Sequence, residues 1–247
     1  MSILKFDNVS LIYHTLTSET LAIKSLNFEI KQGEFVAIVG PSGCGKTTIL
    51  SLIAGILKPS GGKIVMEEGL KSGYMFQKDH LFNWRTIYKN ITLGLELQKK
   101  NLPENVSYIK NLSEKYGIDD FLDRYPNQLS GGMRQRVALI RTLALKPDVL
   151  LLDEPFSALD FQTRLDVCDD VWRIIKSEKK TAILVTHDIH EAISMADRVI
   201  ILSKRPAIVK KIVTIDLDKD LSPFKRREQK EFLEYFDMIW KELAYEK

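Results

Sequence analysis

The 247-residue sequence has only two cysteines, Cys44 and Cys168, which are too few for a disulfide framework and whose spacing suits no zinc site. No apolar run approaches the roughly 18 residues that a membrane span needs. Internal repeats, low-complexity segments and a Gly/Ser/Pro linker are also missing. The start of the chain lacks a basic segment followed by an apolar stretch, so we expect no secretory signal. These absences predict a soluble intracellular globular protein.

The sequence also lacks a strong excess of either charge. Lys and Arg together number 36 and Asp and Glu 33, which leaves a net charge of only +3. This balance does not indicate a nucleic-acid partner, and we expect none. Hydrophobic residues make up 45% of the chain and charged residues 28%, close to the averages of globular proteins, which excludes a disordered chain.

Hydrophobic patterning predicts an α/β fold. Short apolar runs bounded by charges, glycine or proline are typical of buried parallel strands, and they occur at residues 34–39, 148–153 and 181–186. Apolar residues at helical spacing predict helices at residues 46–56, 135–145 and 163–178. Strands that alternate with helices imply βαβ units and a parallel sheet covered by helices. Further strands are predicted in the first thirty residues.

Two regions depart from this alternation within what we predict to be one domain, residues 1–247. Residues 85–145 are mainly helical in pattern, with Pro103 as a helix start after Asn101, and predict an inserted helical subdomain. Residues 224–247 predict a C-terminal amphipathic helix with apolar residues three to four apart. That helix could pack against its own domain, which we favour, or bind a partner.

The strongest local motif is Gly40-Pro-Ser-Gly-Cys-Gly-Lys-Thr-Thr48, which fits the phosphate-loop pattern G-x-x-x-x-G-K-[ST] between a predicted strand and a helix. Its backbone N–H groups can converge on phosphate oxygens at a helix N-terminus. Lys46 is expected to reach the β- and γ-phosphates, and the Thr47 hydroxyl to ligate Mg²⁺. A chance pattern in a glycine turn is the alternative. The predicted nucleotide-binding residues here are Gly40, Pro41, Ser42, Gly43, Cys44, Gly45, Lys46, Thr47 and Thr48.

A second motif is the apolar run that ends in Asp153 and Glu154. Acids at the end of a buried strand lie at the carboxyl edge of the sheet, where α/β sites form. Asp153 is suited to hold Mg²⁺. Glu154 is then free to orient or deprotonate an attacking water. An ordinary acidic loop after a strand would look the same in isolation.

The third motif is Ser130-Gly131-Gly132, directly before a predicted helix, which forms another anion-binding N-terminus. A nucleotide already held by the phosphate loop needs no second such site from the same subunit. We therefore expect these residues to address the γ-phosphate of an ATP bound on another copy. Taken alone, Ser-Gly-Gly is more often a plain helix cap.

With these motifs in this order, the sequence resembles the ATPase subunits of ATP-binding cassette (ABC) transporters over essentially its whole length. The run Leu-Ser-Gly-Gly-Met-Arg-Gln-Arg, residues 129–136, matches the signature of that family. Within the family it is most similar to importers of nitrate, sulfonates, taurine and similar small anions or vitamin precursors. The resemblance implies a phosphate-loop ATPase fold with an antiparallel β subdomain, a parallel-sheet core and a helical subdomain, and ATP and Mg²⁺ as cofactors.

The resemblance also implies roles for single residues. Gln77 matches the glutamine that senses Mg²⁺ and the attacking water, and Tyr13 the aromatic residue that stacks on adenine. Asp160 matches the loop that crosses the dimer interface, and His187 the switch histidine that contacts the γ-phosphate. Plainer interpretations are a loop glutamine and a packing tyrosine. The other histidines, His14, His80 and His190, are expected to be surface or structural residues, and the Cys44 thiol to have no chemistry.

Partners follow from the same resemblance. It implies a dimer of two copies around two ATP molecules, two transmembrane permease subunits, an external solute-binding protein, and a peripheral location on the cytoplasmic face of the cell membrane. Residues 82–86 resemble the segment that meets a permease in this importer group. The alternative is a non-transport cassette protein that acts on ribosomes or DNA. Such proteins usually carry two cassettes or a long coiled-coil insertion, and this sequence has one phosphate loop and no sustained heptads.

Overall fold

The computed structural model describes residues 2–100 and 102–244. Nine strands and nine α-helices are present in this part of the chain. The strands are β1 Ser2–His14, β2 Glu19–Lys31, β3 Phe35–Val39, β4 Gly61–Met66, β5 Ser72–Met75, β6 Val149–Asp153, β7 Thr181–Val185, β8 Arg198–Leu202 and β9 Val209–Thr214. The helices are α1 Lys46–Ile53, α2 Ile87–Ile91, α3 Leu93–Leu97, α4 Pro103–Lys115, α5 Gly131–Leu143, α6 Phe161–Ser177, α7 Ile189–Met195, α8 Pro223–Arg226 and α9 Lys230–Ala244. Short 3₁₀ turns lie at Asp119–Phe121 and Pro126–Gln128.

The central sheet has six strands in the order β5-β6-β7-β3-β8-β9. All neighbours are parallel except β9, which pairs antiparallel with β8 at the edge. Strands β3, β6 and β7 are buried at every position, which explains their continuous apolar sequences. Because β5, β6, β7 and β3 are parallel neighbours, the loops that follow them emerge side by side at one edge.

A second sheet of three antiparallel strands, in the order β2-β1-β4, confirms the predicted antiparallel subdomain. Its buried residues share a core with α1 and with one face of the central sheet. Phe6 and Phe28 stack within this core at a ring-centroid distance of 4.4 Å. The opposite face of the central sheet packs against α5, α6, α7 and α9. The central sheet is therefore covered on both faces, as a parallel sheet requires.

The predicted helical region contains α2, α3, α4 and α5. Proline occupies the first helical position of α4, where its missing N–H costs nothing, as predicted; Asn101 lies outside the described residues. The Ser130 hydroxyl accepts a hydrogen bond from the Met133 backbone N–H at 3.3 Å and caps α5. Helix α5 packs against α2, α6 and β5, which joins the region to the core.

The helices predicted at residues 135–145 and 163–178 are α5 and α6, with ends shifted by one to four residues. Two other predicted helices also have different bounds in the structure. The helix predicted at residues 46–56 ends at Ile53, because Gly55 adopts a left-handed φ of 72° and stops the helical ladder. The tail predicted as one helix over residues 224–247 is two helices, α8 and α9. Buried Arg226 donates to the backbone oxygens of Asp218 and Ser194, and this contact holds the chain at the break. Residues 245–247 lie outside the described residues.

Helix α9 packs against its own domain, the alternative that we favoured. Phe232 and Ile239 are 2% and 0% exposed and belong to the core on the helical side of the central sheet. His190 of α7 lies against this helix, with its ring 4.7 Å from that of Phe236. His190 is thus a packing residue, as expected. In the described part of the chain, no helix has the length and apolar character that crossing a membrane requires.

Candidate nucleotide-binding site

Four loops that carry predicted site residues meet at the carboxyl edge of the central sheet. Gln77 follows β5, Glu154 follows β6, His187 follows β7, and the phosphate loop follows β3. These four strands are adjacent in the sheet, although their order along the chain is different. Residues from distant parts of the sequence are therefore brought to one edge, where ligands bind in open α/β sheets.

The phosphate loop has a backbone that favours glycine at several positions. Gly43 and Gly45 have φ angles of 72° and 118°, in the region that side chains disfavour. A Cβ on Gly40 would lie 2.9 Å from the Cys44 sulfur. The Cys44 side chain is 1% exposed and packs in the core, so it contributes packing in addition to its backbone N–H.

Lys46 begins α1, and its side chain folds back over the loop. Its ammonium donates to the backbone oxygens of Gly40 at 2.9 Å and Pro41 at 3.0 Å, and the residue is 6% exposed. These two hydrogen bonds go to neutral carbonyl groups, and a buried cation favours an anion beside it. The helix N-terminus adds partial positive charge at the same place. The loop therefore fits a phosphate group.

Asp153 lies at the end of β6 and is 6% exposed. One carboxylate oxygen accepts a hydrogen bond from the Thr47 hydroxyl, and the other from the Tyr74 hydroxyl, both at 3.0 Å. Burial raises the pKa of Asp153, while these two hydrogen bonds act in the opposite direction. Burial, followed by the Asp153 charge, raises the pKa of Tyr74, which keeps its phenol a hydrogen-bond donor. Neighbouring hydroxyl and carboxylate oxygens are the donor set that Mg²⁺ prefers.

Glu154 is paired with His187. The Nδ1 atom of His187 lies 3.0 Å from the Glu154 Oε2, and their side chains are 60% and 21% exposed. Glu154 also has a φ of 44°, and its backbone N–H donates to the Val185 oxygen at 2.9 Å. A left-handed conformation costs a non-glycine residue about 1–3 kcal/mol, and such strain is concentrated at functional sites. The strained backbone places the carboxylate at the edge where His187 emerges.

Gln77 is connected to this pair through Ser157. The Gln77 amide donates to the Ser157 hydroxyl at 3.2 Å, which in turn donates to the Glu154 backbone oxygen at 3.0 Å. At the edge of the site the Tyr13 and Thr48 hydroxyls lie 3.1 Å apart, and Tyr13 is 40% exposed. The Tyr13 ring is thus beside the phosphate loop and accessible to a planar ligand.

The remaining predicted residues begin two helices that pack together. Ser130, Gly131 and Gly132 begin α5, and Asp160 caps α6 by accepting a hydrogen bond from the Thr163 N–H at 3.1 Å. This bond lowers the pKa of the exposed Asp160 carboxyl. The two glycines lie tight against the segment around α6: a Cβ on Gly131 would lie 3.1 Å from the Leu159 side chain, and one on Gly132 would lie 2.9 Å from that of Val167.

A family model described as "ABC transporter" matches residues 23–157, more than half of the chain. The matched segment contains the phosphate loop, Gln77, Ser130 and Asp153. The chain belongs to the ABC transporter family. This finding confirms the resemblance and the fold class, and the family is one of ATPases.

Full-length relatives support the same assignment for this ABC protein. It is 44% identical to the uncharacterised ABC transporter ATP-binding protein YtlC of Bacillus subtilis, over 98% of this chain and 96% of that one. It is 38% identical to the nitrate import ATP-binding protein NrtD of Synechocystis sp., over 96% and 93% of the two chains. It is 39% identical to the aliphatic sulfonates import ATP-binding protein SsuB of Bacillus cereus, over 85% of each.

A solved structure shows the same fold in a nucleotide-bound state. The ABC protein superposes with a TM-score of 0.70 on the ATP-binding cassette MJ0796, a dimer in a post-hydrolysis state bound to ADP and Pi. The two sequences are 30% identical, and the match covers 86% of this chain and 98% of that one.

Three residues of the site were not singled out from the sequence. Tyr74 and Ser157 contact Asp153 and Gln77, and Glu191 of α7 accepts a 2.6 Å hydrogen bond from the Thr186 hydroxyl. Tyr74 lies three residues before Gln77, and Ser157 three before Asp160, within motifs that the sequence does show. The only signal in the sequence for Tyr74 and Ser157 is their position beside these predicted site residues. Nothing in the local sequence around Glu191 indicates that its carboxyl is buried.

Proposed function

We propose that this ABC protein binds ATP with Mg²⁺ and hydrolyses it as a dimer to drive the import of a small solute. The observation that carries the proposal is the convergence of Lys46, Asp153 and the Glu154–His187 pair at one edge of the sheet. Phosphoryl transfer to water uses a cation that binds the phosphates, a carboxylate that binds the metal, and a group that orients or deprotonates the water. Lys46, Asp153 and Glu154 are suited to these three roles.

Nucleotide binding is assigned to the phosphate loop, residues 40–48. The loop's N–H groups and the Lys46 ammonium hold the phosphates, since Lys46 is already buried against the loop and donates to the backbone oxygens of Gly40 and Pro41. Tyr13 stacks on the adenine, because its ring is exposed beside Thr48. Membership of the ABC family, whose members bind ATP, supports ATP as the nucleotide.

The metal is assigned to Thr47, Asp153 and Gln77. The Thr47 and Asp153 oxygens lie 3.0 Å apart, and both are hard ligands of the kind that Mg²⁺ takes. Mg²⁺ bound by these residues would neutralise charge on the phosphates. Tyr74 holds the second Asp153 oxygen, so that the first faces Thr47.

Hydrolysis is assigned to Glu154, which orients the attacking water and accepts its proton. His187 lies 3.0 Å from the Glu154 carboxylate, and we assign it to contact the γ-phosphate. Gln77 is assigned to sense the bound Mg²⁺ and the attacking water. It is connected to Glu154 because the Ser157 hydroxyl bridges the Gln77 amide and the Glu154 backbone oxygen. Removing the base should slow proton transfer, which such groups accelerate by about 10²–10⁴-fold.

Each site is completed by a second copy of this chain. We assign Ser130, Gly131, Gly132 and Asp160 to the ATP bound on that copy. The dimer that MJ0796 forms with bound ADP and Pi supports this arrangement. Opposed copies would form two sites, and loss of the γ-phosphate would release them. The domain organisation proposed is one cassette, residues 1–247, with a helical subdomain at about residues 85–145.

Transport partners and solute come from the relatives. The names of NrtD and SsuB refer to import of nitrate and of aliphatic sulfonates, both small anions, which supports a small anion as the solute. Two permease subunits, a solute-binding protein outside the membrane, and a location on the cytoplasmic face of the membrane complete the proposal. Residues 82–86, where Trp84 is 75% exposed, form the proposed permease contact.

The decisive variant is Glu154→Gln, which keeps the shape and removes the base. We expect it to bind ATP, to form a stable dimer and to lose turnover, measured by phosphate release and by size-exclusion chromatography with ATP. Glu228→Gln, at an exposed residue of the tail, is the control and should hydrolyse ATP like the wild type. Near-normal hydrolysis by Glu154→Gln would contradict the assignment of the base. Co-sedimentation with ribosomes or nucleic acid instead of permease-dependent membrane association would contradict transport.

A further inference from the structure

Arg164 contacts two separate loops of the site. It lies one helical turn after Asp160 in α6, and its side chain points back toward the start of the helix, as helical side chains do. Its Nη2 donates to the Leu159 backbone oxygen at 3.0 Å, and its Nη1 lies 3.6 Å from the Asp188 carboxylate. The Arg164 and Asp188 side chains are 26% and 24% exposed, so the pair is largely shielded from water.

Asp188 holds the turn that carries His187. Its carboxylate accepts hydrogen bonds from the backbone N–H groups of His190 at 2.8 Å and Glu191 at 3.4 Å, and so caps α7. Its own backbone N–H donates to the Thr186 hydroxyl at 3.0 Å. Asp188 is thus hydrogen-bonded to residues on both sides of His187. A displacement of its carboxylate would therefore also displace the turn that carries His187.

Helix stability does not explain an arginine at this position. A cation near the start of a helix opposes the positive end of the helix dipole. Within the described part of the chain, the Nε of Arg164 is also buried without a hydrogen-bond partner, which carries a further cost. What the guanidinium provides is a planar fork that reaches the loop before α6 and the turn before α7 at the same time.

We propose that Arg164 is a positioning residue that couples the loop of residues 154–160 to the His187 turn. The inference rests on the proposed function, in which Asp160 meets the second copy and His187 acts beside Glu154. Contact of the second copy with the Asp160 loop then sets the position of His187 through Leu159, Arg164 and Asp188. Each ATP site becomes competent only when the dimer has closed around it.

The test compares Arg164→Met, Arg164→Lys and a matched control. Arg173→Met removes a guanidinium from the same helix, where Arg173 is 65% exposed and forms an ion pair with Asp170. We expect Arg164→Met to lower kcat on the order of ten- to a hundredfold, the scale of small misplacements of reacting groups, with KM for ATP changed less than about threefold. Arg164→Lys, a point charge that replaces the fork, should be intermediate, and Arg173→Met should match the wild type.

A double-mutant cycle with Asp188→Asn, which can still cap α7, separates coupling from general damage. If the two residues act as a pair, the double variant loses no more kcat than Arg164→Met alone. Wild-type kcat in Arg164→Met, or losses that multiply in the double variant, would overturn the inference. If Arg164→Met does not fold, Arg164→Lys decides, since unchanged kcat in that variant overturns it as well. A wild-type protein without ATPase activity would instead contradict the proposed function.

Discussion

Glu191 makes the stability of this protein depend on pH in an unusual direction. The residue is 3% exposed in α7, and burial raises the pKa of its carboxyl from 4.5 to about 7. The Thr186 hydrogen bond and the charges of Arg164 and His187 lower this pKa, and the Asp188 charge raises it further. Burial has the largest effect, so the carboxyl is protonated in the folded protein at pH values where an exposed glutamate is ionised.

The sign follows from proton linkage. Between pH 4.5 and 7 the folded state binds a proton at Glu191 that the unfolded state has already lost, so the free energy of unfolding falls as pH rises. The stabilisation is complete below pH 4.5 and lost as pH passes through about 7. A tenfold change in proton affinity corresponds to about 1.4 kcal/mol, so the full effect is about 3 kcal/mol.

The perturbation is Glu191→Gln. Glutamine retains an oxygen that accepts the Thr186 hydrogen bond and has no charge to desolvate. We expect the variant to gain about 2.5 kcal/mol on the wild type between pH 5 and pH 8, measured as the difference in their free energies of unfolding by urea. Nucleotide is left out because a ligand of the folded state would shift the unfolding equilibrium.

The control is Glu234→Gln, at an exposed position of α9, which should follow the wild type within about 0.5 kcal/mol at every pH. Groups other than Glu191 contribute equally to wild type and variant, so the difference isolates this residue. Parallel stability curves for Glu191→Gln and the wild type across this pH range would refute the reasoning.

Three further changes test the packing and the proposed metal site. Tyr74→Phe removes the donor to Asp153 and should raise the Mg²⁺ concentration for half-maximal ATP hydrolysis about tenfold; an unchanged Mg²⁺ dependence would contradict it. Gly132→Ala places a methyl group 2.9 Å from the Val167 side chain and should cost about 1–3 kcal/mol in urea unfolding, whereas full stability would show that α5 and α6 can separate at no cost. Phe232→Ala should cost about 3–5 kcal/mol and increase amide hydrogen exchange in α9, and unchanged exchange would disprove its anchoring role.

The predictions that succeeded depended on contiguous residues. The phosphate loop was found because strand, glycine turn, Lys46 and helix follow one another without a gap, and Asp153 because it ends a continuous apolar run. For the phosphate loop and for Asp153, the local sequence sets the backbone conformation as well as the functional groups. The amphipathic tail helix was predicted correctly over residues 230–244, but its predicted start at residue 224 was too early. At the break, residues 227–229, the neighbouring Arg226 contacts backbone oxygens 8 and 32 residues away in sequence. No spacing within the tail encodes those contacts.

The sequence by itself determined three local features: the glycine turn between β3 and α1, the carboxylate at the end of β6, and the serine cap of α5. Each is built from neighbouring residues, whose backbone propensities and side chains are enough to set its conformation. Only the tertiary structure decided which distant groups touch them. The strand order brings Tyr74 to Asp153 across 79 positions and His187 to Glu154 across 33. Packing of α6 against α7 brings Arg164 to Asp188. Such contacts arise from the parallel pairing of strands and the burial of helix faces, which depend on the whole chain at once.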